Sequence, residues 1–190
     1  MQVLKPEVKA SILEASERLF YRDGFEGASM QSIAEAAGTS ASNLYKYFAG
    51  KEGLFQALVG DYAARFARGY RQALSHGGDE EHDRGRIEGL ARLIAGQISE
   101  APRLFAILAG RSAGSPYEGY MAGLADELAG HVAARLGDDG ASDILPRIAA
   151  RGFFSALAEI AAAGRSPDWI DLQVGRTLRY VLGGLAAVER

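Results

Sequence analysis

Cysteine is absent from this chain of 190 residues. Disulfide bridges and thiolate metal sites are therefore excluded, while the redox compartment stays open and a reducing cytoplasm is compatible. Long apolar runs are missing too. No stretch approaches the length needed to cross a bilayer, and residues 1–7 lack the apolar core of a signal peptide. A soluble, cytoplasmic protein with no membrane partner is expected. Alternation with period two is nowhere sustained, which leaves no candidate strand. An excess of basic charge is also lacking: the net charge is −3, with nine Lys and Arg against eight Asp and Glu through residue 75, and twelve against sixteen beyond it. A nucleic-acid partner would have to be met by a local cluster, doubled by association of two chains, rather than by a broad basic field.

What is present is 48% hydrophobic content, enough for one substantial core or for a small module beside a larger one. Over residues 6–23 Val8, Ile12, Ala15, Leu19 and Phe20 recur at three and four, which predicts a helix with Pro6 tolerated near its start. Asp23-Gly24-Phe25 closes it, and a left-handed Gly24 would let Phe25 pack back on Phe20.

Residues 29–52 read as two short helices around a tight turn. Ser29 can cap the first, which carries Ile33, Ala34 and Ala37 on one side; Gly38 ends it, because glycine reaches positive φ without a steric penalty. Ser40 caps the second, where Leu44 and Phe48 share a face and leave Ala41, Ser42, Asn43, Tyr45, Lys46 and Tyr47 outward. Two such helices form a helix-turn-helix, whose second helix can enter the DNA major groove.

The remainder is also helical in pattern. A fourth helix over 51–74, with Leu54, Phe55, Leu58, Val59, Tyr62 and Phe66, would link this head to a body. Residues 75–85 read as a charged, glycine-bearing loop, and His82 among its acids reads as solvated rather than as a metal ligand, because adjacent loop residues supply no fixed ligand geometry. Further helices follow over 86–98, 102–109 and 117–136, with breaks at 110–116 and 137–140. Two terminal helices, 142–163 and 167–187, are joined so briefly that they must be antiparallel. Both are apolar on more than one face. A partner subunit is the expected cover, through an isologous four-helix interface built from Ile148, Phe154, Leu157, Leu178, Val181, Leu182 and Leu185.

Ile33-Ala34, Ala37-Gly38, Leu44-Tyr45, Tyr47-Phe48 and Lys51-Glu52, in that order and spacing, closely resemble the signature of TetR-family transcriptional regulators. The resemblance covers about the first third of the chain. It implies an all-α fold: a three-helix DNA-binding head over 1–50, with its motif at about 29–48, and a helical effector-binding and dimerisation body over 51–190. It implies a homodimer on a roughly palindromic double-stranded DNA operator, released by a small-molecule effector. Ser29, Ser40, Ser42, Asn43, Tyr45, Lys46, Tyr47 and Lys51 become the expected DNA-binding residues, with Tyr47 and Lys51 on phosphates. An effector pocket is expected near Phe105, Tyr117, Met121, Leu124, Leu128, His131 and Phe153, a filled core being the other reading of those positions. Thr39, Ala41 and Gly53 depart from the family pattern, and fewer polar handles on the reading helix imply modest affinity per head. The competing reading is a small-molecule-binding helical protein whose head does not read DNA.

Enzymatic chemistry is not expected, and neither is a cofactor or metal. Gly110-Arg111-Ser112-Ala113-Gly114 matches a nucleophile elbow, and Asp126 and His131 follow in hydrolase order. That motif needs a strand before the serine, whereas residues 104–108 belong to a helical run.

Overall fold

A computed structural model describes residues 5–75, 80–135 and 144–188, and among them every regular element is a helix. The order is α1 (Pro6–Gly27), α2 (Met30–Ala36), α3 (Ala41–Tyr47), α4 (Gly50–Ser75), α5 (Glu80–Glu100), α6 (Pro102–Gly110), α7 (Tyr120–Arg135), α8 (Leu145–Ala162) and α9 (Pro167–Val188). Among the described residues no helix is long and apolar enough to cross a membrane.

The apolar stripe of α1 buries Ile12, Ala15, Leu19 and Phe20. Gly24 sits inside the assigned helix at φ 74°, ψ 174°, a kink after which the chain runs on to Gly27. That kink folds Phe25 onto Phe20, ring centroids 5.9 Å apart, as the spacing predicts. Phe55 of α4 meets both rings edge-on, at 5.0 Å and 5.1 Å. The head's core is thus closed by the first turns of α4, and α4 belongs to head and body alike.

Farther along α4 an aromatic ladder does the same for the body. Phe66 meets Phe105 of α6 at 5.4 Å, and Tyr70 meets Phe154 of α8 at 5.7 Å, both edge-to-face. The polar tips find carbonyls: Tyr62 Oη donates to Gln97 O at 2.9 Å, and Tyr70 Oη to Leu124 O at 3.0 Å. Each phenol thereby buries its ring and still satisfies its hydroxyl, which fixes α5 and α7 in register along α4. Around this spine α7 and α6 pack on α8, α9 packs on both α5 and α8, and α1 packs on α6.

Several boundaries differ from the sequence expectation, most of all the starts of three helices. α5 begins at Glu80, inside the stretch read as a loop over 75–85. Charged residues without an apolar period carry no helix signal, yet they extend a helix anchored downstream by Leu90, Ile94 and Ile98, all buried. α7 begins at Tyr120 rather than 117, because Gly119 takes φ 77° and residues 112–119 form hydrogen-bonded turns. α8 begins at Leu145. Leu136, the stop at 137–140 and the start at 142 lie outside the described residues, as does the side chain of His82.

The terminal hairpin corrects the expected interface. Phe154, Leu157 and Leu178 are buried inside the chain itself, Leu178 to 1% exposure, because one face of each helix is already covered by α5, α6 and α7. Val181 and Leu182 are half-buried against the same core. Ile148, by contrast, is 56% exposed, and Ile144, Leu172 and Tyr180 are exposed as well, the last to 81%. The side chain of Leu185 lies outside the described residues.

Candidate nucleic-acid interface

The helix-turn-helix is built from local hydrogen bonds that its residue types dictate. Ser29 Oγ accepts from Ser32 N at 3.0 Å, while Ser32 Oγ accepts from Ser29 N at 3.1 Å, a reciprocal capping box at the start of α2. At the other end Gly38, at φ 67°, lets Gly38 N donate to Glu35 O and Thr39 N to Ala34 O, the paired bonds of a Schellman turn. Ser40 Oγ then caps α3 by accepting from Asn43 N at 3.1 Å. Ile33, Ala34, Leu44 and Phe48 are buried, so the two helices cannot rotate about their own axes without losing the core.

This anchoring sorts the outward residues of α3. Ser42, Tyr45 and Lys46 are exposed, Tyr45 to 57%, and at spacings of three and four they present one contiguous edge. Asn43 is half-buried, and its side-chain amide donates to Thr39 Oγ1 at 2.9 Å. Thr39, a departure from the family pattern, therefore holds Asn43 in place. Tyr47 is half-buried as well, its hydroxyl accepting from Lys5 N at 3.1 Å, which pins the chain before α1 against the end of α3. Ser29 and Ser40 are committed to their caps.

Lys51 lies apart from that edge. Its ammonium donates to Phe25 O at 2.8 Å and Ala28 O at 3.0 Å, with Glu26 O at 3.4 Å, and sits 4.4 Å from the centroid of the Phe25 ring. Nothing in the sequence pairs Lys51 with carbonyls twenty-three to twenty-six residues earlier, so reasoning from the motif alone places it on a phosphate.

Residues 12–58 match a family model described as bacterial regulatory proteins, tetR family. Over that stretch the chain is similar to the DNA-binding segment of the TetR family. It is 38% identical over 65 residues to the HTH-type transcriptional repressor ComR of Escherichia coli (strain K12), a stretch covering 33% of this chain and 31% of that protein. It is also 38% identical over 80 residues to the HTH-type transcriptional repressor AcnR of Corynebacterium glutamicum, covering 42% and 40% respectively. The chain thus spans less than half the length of these curated relatives. A TetR-family transcriptional regulator from Bordetella parapertussis matches 94% of this chain and 95% of its own at a TM-score of 0.72, with 18% sequence identity, which establishes the common all-helical fold.

Of the residues expected around an effector pocket in the body, some lie in the core and others border three surface depressions. Phe105 and Phe153 are fully buried, and Leu128 is buried too. Tyr117 and Leu124 border a surface depression of about 330 Å³ together with Arg71, Tyr120 and Glu127. His131 borders a second, of about 430 Å³, with Arg71, Leu74 and Glu127. Met121 lines a third, of about 370 Å³, between α6, α7 and α8. The first two share the Arg71–Glu127 ion pair, bidentate at 2.7 Å and 2.9 Å. Tyr117 Oη also donates to Gln56 Oε1 at 2.9 Å, and its ring lies 6.0 Å from that of Phe55. The border of the first depression therefore touches the helix that closes the head.

Ser112 sits beyond the end of α6, not after a strand, and its hydroxyl donates to Leu108 O at 3.1 Å as a helix-end contact. An elbow that would expose a nucleophile is not formed there.

Proposed function

We propose that this chain is a DNA-binding transcriptional regulator, a repressor that occupies a roughly palindromic operator as a homodimer and is released by a small-molecule effector. The observation that carries this reading is the edge of α3, where Ser42, Tyr45 and Lys46 stand exposed on a helix fixed by two serine caps and the Gly38 turn. The names of the relatives matched over the same stretch, transcriptional repressors, support the repressor mode.

Within this reading residues 1–50 are the head and 51–190 the body, with α4 shared. Ser42, Tyr45 and Lys46 face the groove or its flanking phosphates, Asn43 and Tyr47 hold the shape of the reading edge, and the Ser29 cap brings the start of α2 to the backbone. The homodimer forms through Ile144, Ile148, Leu172 and Tyr180, the apolar surface that α8 and α9 leave uncovered. The effector binds the body and acts by preferring the head spacing that does not fit the operator.

Selection of genomic fragments by the full-length chain at a stated salt concentration tests the reading. Enrichment of one inverted-repeat sequence is expected. Failure to enrich any fragment, with and without a library of small molecules, would favour a ligand-binding protein whose head does not read DNA.

A further inference from the structure

We infer that Lys51 is the clasp of the helix-turn-helix: a positioning residue that fixes how α3 is presented to DNA, and not itself a phosphate contact. The inference rests on the DNA-binding function proposed above.

An ammonium group has three hydrogens to donate, and at Lys51 three carbonyl oxygens converge on it, those of Phe25, Glu26 and Ala28. The face of the Phe25 ring covers a further side at 4.4 Å, a cation–π contact. Such a site suits a cation because it lies at the carboxyl end of α1, where the last carbonyls of a helix have no partner within it. The same charge is poorly placed on its own helix. Lys51 lies in the first turn of α4, beside the positive end of that helix's dipole, so the compensation comes from α1.

Position in the chain turns this contact into a clasp. Ala28 immediately precedes Ser29, the cap of α2, and Lys51 follows α3 by four residues. The hydrogen bond from Lys51 to Ala28 O therefore joins the two ends of the segment containing both motif helices. Apolar contact reinforces the join, since Phe25 also meets Phe55, one turn along α4 from Lys51, at 5.1 Å. On its other side Phe25 N donates to Arg111 O at 2.9 Å, tying the clasped end of α1 to the body. Removing the ammonium would leave the carbonyls half-satisfied and let α2 and α3 tilt as a unit while their internal caps stayed intact.

The test compares Lys51→Met, which keeps the stem, and Lys51→Arg, which keeps the charge, with the wild-type chain on the fragment it enriches and on a scrambled duplex. Affinity is measured across a salt series, well below the thermal midpoint of each variant. A clasp predicts that both variants bind the enriched fragment roughly tenfold or more weakly, with the salt slope and the scrambled-duplex affinity unchanged, because a planar guanidinium cannot donate to three converging carbonyls as an ammonium does. A phosphate contact predicts instead that Lys51→Met lowers the slope by about one per head and that Lys51→Arg restores it, which would overturn the inference. A lowered thermal midpoint with unchanged affinity for both duplexes would show a role in stability alone and would also overturn it. Reductive methylation of the DNA-free chain gives a separate readout: Lys51 should react far more slowly than the exposed Lys9, and equal rates would show that the clasp does not exist. A wild-type chain that enriches no fragment would overturn the proposed function and this positioning role together, while protection of Lys51 would still establish the clasp as a structural contact.

Discussion

Phe25 N–H donates to the carbonyl oxygen of Arg111 at 2.9 Å, joining the kinked end of α1 to the end of α6. The bond exists because Gly24, at φ 74°, turns the backbone so that the next N–H faces the body. An alanine at 24 would bring its Cβ no closer than 3.6 Å to Arg111 O, so the cost is torsional rather than steric. Gly24→Ala should lose about 1–3 kcal/mol, the penalty of a side chain at a positive φ with an extended ψ of 174°, a region open essentially to glycine alone. For a chain of this size that is a fall of several degrees in the thermal midpoint. A neutral outcome in a calorimetric scan would mean that this joint is not rigid. Gly110→Ala, where an added Cβ meets nothing within 4 Å and φ is not positive, is the control and should not lower the midpoint.

The serine caps should be measurable one at a time. Ser29→Ala removes the acceptor for Ser32 N, and Ser40→Ala removes the acceptor for Asn43 N. Each is expected to cost about 1 kcal/mol in chemical denaturation. Hydrogen exchange should localise the loss to α2 or α3, and uniform loosening of the body would contradict it.

Two substitutions in the terminal hairpin should behave in opposite ways. Leu178→Ala opens a cavity in the chain's own core and should cost about 2–5 kcal/mol without a direct effect on association. Ile148→Asp places a charge at an exposed apolar position and should leave the fold intact while shifting sedimentation towards the monomer. If Ile148→Asp sediments as wild type does, these helices are not the dimer surface.

Alkaline pH should weaken the fold through its buried phenols. Burial raises the hydroxyl groups of Tyr62, Tyr70 and Tyr120 above the ordinary value of 10, Tyr120 being pushed up to about 12. Because the folded value lies above the unfolded one, the contribution is whole below about pH 10 and is lost as pH rises through about 12. Urea midpoints should therefore hold to about pH 9 and fall beyond about pH 10, and Tyr120→Phe should flatten the fall. A midpoint independent of pH over that range would contradict the burial of these hydroxyls.

The head was legible because its determinants are local. Ser29, Gly38 and Ser40 act on residues within five positions, and Phe25 meets Phe20 across a single kink, so residue type and spacing suffice. Lys51 was not legible in this way, since its carbonyls lie on another helix and only the folded chain brings them within 3 Å. The hairpin was half legible. Apolar residues on several faces signalled more burial than one neighbour can supply, but which face goes inward is decided by α5, α6 and α7, and that allocation turns Leu178 into the chain's own core and leaves Tyr180 exposed. The body's depressions were least legible, because whether aromatic residues fill a core or line a surface depends on the packing of helices distant in sequence.

DNA reading by the edge of α3 is tested most directly by the salt dependence of affinity for the enriched fragment and a scrambled duplex, with wild type, Tyr45→Ala and Lys46→Ala compared. Wild type should prefer the enriched fragment by about a thousandfold or more. Tyr45→Ala should reduce that preference, and Lys46→Ala should lower the salt slope by about one per head. Equal affinity of the wild-type chain for both duplexes, or slopes and preferences that neither substitution alters, would contradict DNA reading by α3.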